Sequence, residues 1–285
     1  MKTYHDIVGD GGSNVLGQVE AQQSAIAEAL SGVRHRLAIG SGKGGVGKST
    51  VTMALARALR RQGQTVAILD ADFNGPCQAQ LAGLASAPWV PGENGLALPR
   101  NKDGIGIASF GSLLGEAQPF EVASVAPNEE QTWRGMREFA LLGQLLGSVD
   151  WGRLDVLLFD LPPGTERTRQ YAQFLGEATR FVMVTIPSDL ARSVVARSIS
   201  ALEKNATPLL GVVENMAGYF CRDCGEVRPL FPIPGSDLAA TSLGQIPFDP
   251  ALASLGQSDS QLTSPSAQAV DVVARRILQA LEATA

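Results

Sequence analysis

A chain of 285 residues with 45% hydrophobic side chains is long enough to build one large α/β domain around a sizeable core. Its 28 acidic and 23 basic residues leave a net charge of −5 with no dense Lys/Arg block, which argues against nucleic acid as the main partner. No apolar run approaches the roughly 18 residues of a membrane span, Met1–Asp6 carries no apolar signal core, and three cysteines are too few for a disulfide framework. The expectation is a cytoplasmic protein with neither a membrane nor a nucleic-acid partner.

In chain order, residues 1–32 form a lead-in in which Val15, Leu16, Val19, Ile26 and Leu30 suggest a polar-diluted helix, and residues 33–285 form one domain. Arg36–Gly40 reads as a short buried strand entering a glycine loop, and Ser49–Arg61 as the helix that leaves it. Gly63 ends that helix, and Thr65–Leu69 is a continuous apolar run of the kind a doubly covered parallel strand requires, ending at Asp70. Ala85–Lys102, rich in Pro and Gly, reads as a long surface connection, Gly104–Phe110 as a strand and Gly115–Glu130 as a mobile segment. Met136–Leu146 predicts a helix, and Leu154–Phe159 a buried strand that delivers Asp160 at its end. Strands at Phe181–Ile186 and Leu209–Val213, separated by helical segments, complete the alternation. At the end, Ser264 is placed as an N-cap before Pro265, and Val270, Val273, Ile277 and Leu281 share a face suited to core docking. The fold class implied is α/β, a doubly wound and mostly parallel sheet with helices on both faces, whose ligands bind at the carboxyl ends of its strands.

One motif carries most of the chemistry. Gly42-Lys43-Gly44-Gly45-Val46-Gly47-Lys48-Ser49 matches G-x-x-x-x-G-K-[ST] in full and lies between a predicted strand and a predicted helix. Phosphates need backbone N–H groups converging on one point, which side chains at Gly42, Gly44, Gly45 and Gly47 would obstruct. Lys48 supplies positive charge to the β- and γ-phosphates, Ser49 is placed to coordinate Mg²⁺, and the helix dipole points at the phosphates. The loop residues Gly42 to Thr50, with Val46 among them, are therefore expected to bind ATP or ADP. Mg²⁺ keeps several waters and takes one or two carboxylates, so Asp70, Asp72 and Asp160 at strand ends are the candidates, and Gly164 can offer its N–H to a γ-phosphate.

The second lysine of the loop, Lys43, makes Lys43-Gly44-Gly45-Val46-Gly47-Lys48-Ser49-Thr50 resemble the deviant phosphate loop of the MinD/ParA/nitrogenase iron-protein class. That resemblance implies a slow ATPase in which Lys43 reaches a partner's phosphates across a dimer interface. By the same resemblance Asp72 positions the attacking water, and Asp70 is the carboxylate on the Mg²⁺ side. Within the class, five further segments are similar to the Mrp/ApbC iron–sulfur cluster carriers. They are Asp70-Ala71-Asp72-Phe73-Asn74-Gly75-Pro76, Trp133-Arg134-Gly135, Asp160-Leu161-Pro162-Pro163-Gly164-Thr165, Gly211-Val212-Val213-Glu214-Asn215-Met216 and Cys221-Arg222-Asp223-Cys224-Gly225. The likeness implies a homodimer that hands a cluster to apo iron–sulfur proteins, with Asn215 against the adenine ring. It departs at Glu166-Arg167, where relatives commonly continue Gly-Asp, and it lacks before Val33 the additional domain or cysteine cluster that many carry.

Cys221 and Cys224 present two thiolates, whereas a [4Fe–4S] cluster or a closed zinc site wants four ligands. Two chains contributing a pair each across a two-fold axis would complete the set. A Zn²⁺-bridged dimer, a redox-active disulfide and an unmetallated turn are the alternatives at this pair, and Cys77 reads as a small buried hydrophobe. Two other functions remain open to the whole chain: a positioning ATPase of the MinD/ParA kind, and a non-catalytic nucleotide-gated adaptor.

Overall fold

The computed structural model describes residues 15–85, 87–110, 131–221, 224–232, 238–253 and 264–283. The element order is α1 (Val15–Ala29), β1 (Val33–Ser41), α2 (Lys48–Arg61), β2 (Val66–Asp70), α3 (Gln78–Leu81), β3 (Val90–Pro91), β4 (Leu96–Ala97), β5 (Gly106–Ser109) and α4 (Gln131–Ser148). There follow β6 (Val149–Asp150), β7 (Leu154–Asp160), α5 (Thr165–Leu175), β8 (Thr179–Thr185), α6 (Asp189–Lys204) and β9 (Leu209–Phe220), then β10 (Val227–Pro229), β11 (Ser242–Phe248), α7 (Pro250–Ala253) and α8 (Pro265–Ala283). The main sheet runs β10-β9-β8-β1-β7-β2-β5, with β11 paired to β9. Among the described strands of this sheet, only β10 is antiparallel to its neighbour. The mostly parallel, doubly wound sheet expected from the apolar runs is the one observed.

Strand pleating explains why these runs are continuously apolar. Leu37, Ile39, Ile68, Val156, Leu158, Val182 and Val184 face the layer that holds α2 and α8, while Ala38, Leu69, Leu157, Phe159, Phe181 and Met183 face α4, α5 and α6. The C-terminal stripe Val270, Val273, Ile277 and Leu281 is buried in the first of these layers. The Ser264 hydroxyl accepts from Ala267 N at 3.1 Å, as an N-cap does. Among the described residues no helix is long and apolar enough to cross a membrane.

Several elements differ from expectation. Ala85–Lys102 contributes β3 and β4, which join β6 in a separate three-stranded sheet, so the Pro/Gly-rich stretch is partly ordered by pairing. β9 runs on past Val213 to Phe220, because β11 flanks it from Val212 to Tyr219 and continues the ladder where β8 stops at Glu214. β11 itself is an unexpected strand, its apolar run broken by Gly244, Gln245 and Pro247. The segment Gly115–Glu130 lies outside the described residues, as do the side chains of Trp133 and Arg134 at the start of α4.

Leu158 is fully buried in the central layer, so Leu158→Ala is expected to cost about 2–5 kcal/mol in a urea titration. At the strand's other end Asp155 accepts from both Thr65 N and Thr65 Oγ1 at 2.7 Å, and these bonds hold its carboxyl below the ordinary range. A depressed carboxylate stabilises the fold above its unfolded-state value and loses that contribution as pH falls through the folded one. The gap in thermal midpoint between the native chain and Asp155→Asn is therefore expected to be constant from neutral pH down to about 5, and to close at lower pH.

Candidate nucleotide site

The parallel register places the acidic groups. Asp70 at the end of β2 lies opposite Asp160 at the end of β7, Ser109 of β5 flanks Asp70 on one side, and Ile39 of β1 flanks Asp160 on the other. Neighbouring strands are about 4.8 Å apart, so two carboxylates in one row are close before any side-chain contact is considered. Beyond Ser41 the chain turns into the loop, where Gly45 and Gly47 take φ of 79° and 78°, backbone that residues with a Cβ adopt only under strain. A Cβ at Gly44 would meet only Pro163 at 3.9 Å and one at Gly45 nothing, so the mouth of the loop is an open cradle.

Lys48, the first residue of α2, forms a buried ion pair with Asp160 Oδ1, and its Nζ also donates to Ser49 Oγ at 3.2 Å. Thr52, one helical turn on, donates to the same Asp160 oxygen at 3.3 Å. The other oxygen, Oδ2, accepts from Gln78 Nε2 at 2.8 Å, and that amide nitrogen also donates to Ser49 O at 3.0 Å. Asp70 Oδ2 accepts from Cys77 N and Gln78 N at 2.9 Å each and from Ser109 Oγ at 3.1 Å, which fixes the loop from Asp72 to Gln78. Burial, and next the negative charge of Asp160, push the Asp70 carboxyl well above the ordinary range, against the opposing pull of those hydrogen bonds and of Lys48. Asp72 is half-buried and is raised by desolvation as well. Two desolvated carboxylates balanced by a single lysine have room for one more positive charge. This donor set of Ser49 and Asp160 with Asp70 behind fits Mg²⁺ completed by phosphate and water.

Several expected residues are engaged by bonds within the chain. Gly164, with φ 114°, donates its N–H to Ser41 O at 2.8 Å rather than toward the cradle. Asn215, on β9, donates from Nδ2 to Val46 O at 2.9 Å, and Gly47 passes so close that a Cβ there would fall 2.3 Å from that nitrogen. Lys43 is half-buried in the loop, its carbonyl accepting from Ser41 Oγ at 3.1 Å. At Glu166-Arg167 the sequence departure is absorbed structurally. Arg167 ion-pairs with the buried Glu138 and lies 5.4 Å from the centre of the Tyr171 ring, whose hydroxyl donates to Ala71 O at 2.8 Å.

Cys221 and Cys224 lie at the tip of the β9–β10 hairpin, Cys221 half-buried and Cys224 exposed. Cys221 N donates to Glu226 O and Gly225 N to Cys221 O, each at 2.9 Å, which closes the turn. Among the described residues no three His, Cys, Asp or Glu side chains gather as a metal centre, so within those residues the thiol pair is two ligands short. Cys77 lies beside the carboxylates rather than in a core, and burial raises its thiol to about 11. Thr52 and Gln78 went unnoticed in the sequence. The spacing of four from Lys48 could have flagged Thr52, whereas nothing local marks Gln78.

A glycine cradle between a central parallel strand and its helix, with a lysine and two strand-end carboxylates at its base, defines a P-loop NTPase. The family model described as ParA, NUBPL iron-transfer P-loop NTPase, matches residues 32–281, and the chain belongs to that family. It is 33% identical over 274 residues to a cytosolic Fe-S cluster assembly factor, the Nubp1 homolog of Drosophila pseudoobscura pseudoobscura, covering 90% of this chain and 85% of that one. It is 37% identical over 236 residues to an iron-sulfur cluster carrier protein of Methanocaldococcus jannaschii, covering 80% and 78%. Among solved structures, a nucleotide-binding protein of Archaeoglobus fulgidus in complex with ADP and with cobalt superposes with a TM-score of 0.67 at 36% identity, over 82% of this chain and 89% of that one. The cell division ATPase MinD of Pyrococcus furiosus, at 20% identity and a TM-score of 0.60 over 86% and 99%, shares the fold.

Removing one partner of a buried ion pair costs about 3–5 kcal/mol because the other charge is left uncompensated, whereas replacing both can be nearly neutral. Lys48→Met is therefore expected to lower the urea midpoint, and Lys48→Met/Asp160→Leu to recover most of it. Neither variant is expected to bind a fluorescent ADP analogue.

Proposed function

We propose that the chain is a nucleotide-dependent iron–sulfur cluster carrier that hydrolyses ATP to ADP and phosphate. It works as a homodimer, holds its cargo between Cys221 and Cys224 of two chains, and passes it to apo iron–sulfur proteins. The names of its relatives support the carrier reading. The observation that carries it for this chain is a single strand: Asn215, bonded to the phosphate loop, and Cys221, at the hairpin tip, both lie on or at the end of β9, at most about 20 Å apart at 3.3 Å per residue. Beyond Asn215, where β8 has ended, β9 is paired to β11 at Tyr219 and to β10 from Gly218 to Phe220, so a displacement at the loop reaches the thiols along a paired strand. The relatives named as cytosolic, and the need of free thiols for a reducing compartment, favour the cytoplasm.

In the proposed cycle, ATP enters the cradle of Gly42 to Thr50 and draws Lys48 away from Asp160 toward the β- and γ-phosphates. Lys43 adds the second positive charge from the partner chain, and Asp72 orients the water whose oxygen attacks the γ-phosphorus as the bond to ADP breaks. Ser49 and Asp160, with Asp70 behind them, would hold Mg²⁺, which would supply charge neutralisation at the phosphates. Gly164 exchanges its bond to Ser41 O for the γ-phosphate and returns on hydrolysis. The apolar stripe of α8 is buried in the core and is not available to a membrane surface, which disfavours a membrane-directed positioning ATPase.

Anaerobic reconstitution with iron and sulfide tests the carrier. The expected result is a visible charge-transfer band, iron and sulfide for one cluster per two chains, and loss of both in Cys221→Ala and Cys224→Ala. Loading that is unchanged in Cys221→Ala, or stoichiometric zinc with no bound iron, would overturn it.

A further inference from the structure

Gln78 is fully buried at the centre of the candidate site, and its groups are almost all engaged. Its backbone N–H goes to Asp70 Oδ2, and its Nε2 goes to Asp160 Oδ2 and Ser49 O, so one residue joins both carboxylates and the serine. Its Oε1, by contrast, is buried with no hydrogen-bond partner among the described residues. A buried unpaired carbonyl costs about 1–3 kcal/mol, and such groups in native proteins call for a specific reason, an ion or water among them. Rotating the amide by half a turn offers no escape, because Oε1 would then face the oxygens of Asp160 and Ser49, setting acceptor against acceptor.

We infer that Gln78 is a positioning residue of the nucleotide site, holding Asp160 in place for the divalent cation through Nε2 and accepting a hydrogen bond from a water of that cation's hydration shell through Oε1. The inference rests on the Mg²⁺–nucleotide reading proposed above. Two requirements of that reading single out this side chain. When phosphate takes Lys48, Asp160 loses its ion-pair partner and must keep its orientation by other means, and of the two remaining donors Gln78 is the closer, at 2.8 Å against 3.3 Å for Thr52. A cation that retains several waters also needs acceptors for their protons, and Oε1 is an acceptor covalently fixed beside the Asp160 and Ser49 contacts.

The test separates cation binding from nucleotide binding in the full chain. A fluorescent ADP analogue is titrated in excess EDTA, then Mg²⁺ is titrated into the saturated complex, for the native protein, for Gln78→Met, which keeps the shape without polar atoms, and for Gln78→Asn, which withdraws the amide by one methylene. The expected result is a roughly 10–100-fold weaker Mg²⁺ midpoint in Gln78→Met, with unchanged affinity in EDTA, because partners of metal ligands contribute on that scale. Gln78→Asn is expected to show a smaller loss of the same kind, and it carries the measurement if the methionine variant does not fold. Equal losses in EDTA and Mg²⁺, or an unmoved Mg²⁺ midpoint, would overturn the inference while leaving the carrier reading intact. A native protein that bound the nucleotide with no dependence on Mg²⁺ would overturn the inference together with the Mg²⁺–nucleotide reading on which it rests.

Discussion

The buried pair between Lys48 and Asp160 is the interaction on which the arrangement of this molecule turns. It ties the first residue of α2 to the last of β7, and so joins the phosphate loop to the neighbouring strand across the middle of the sheet. Dehydrating two charges is costly, and their attraction offsets that cost only when further hydrogen bonds complete the geometry. Thr52, Gln78 and Ser49 provide those bonds. The same lysine is the group a triphosphate would claim. In the cycle proposed above, binding would be an exchange of counter-ions at an already buried carboxylate, with Gln78 and Thr52 still bonded to it.

Around that pair, the sheet register does the assembling. Ser109, Asp70, Asp160 and Ile39 come from four strands and form one row, so the acidic site follows from backbone pairing rather than from long side chains reaching inward. The Arg167 cluster ties the beginning of α5 to α4 and, through Tyr171, to the loop after β2. Arg167 and Tyr171 thus form a brace between the segment after β7 and the loop after β2, both beside the candidate site.

Much of this was legible in the residues, and for identifiable reasons. Thr65–Leu69 and Leu154–Phe159 are uninterrupted apolar runs ending in aspartate, a pattern that reports a doubly covered strand without knowledge of its partners. The phosphate loop is contiguous and chemically constrained. What could not be read depends on distant pairing or on fine geometry. β11 carries Gly244, Gln245 and Pro247 and exists because β9 is there to receive it. The extension of β9 to Phe220 has the same origin. Gln78 reaches Asp160 only because Asp70 captures the backbone of a four-residue helix, a relation that has no periodicity to betray it.

The row of strand ends bears on folding as well as on binding. Its members are supplied by residues 39, 70, 109 and 160, and the strand bearing Asn215 closes over the loop from farther along the chain. A fragment that has yet to complete these long-range pairings can hold the contiguous loop but not the acidic row beside it, so a ligand that needs both discriminates fully assembled molecules from partly assembled ones. Mass action then makes nucleotide a late-acting clamp on maturation. It leaves early collapse untouched and deepens only the final basin, by an amount that grows with the logarithm of its concentration.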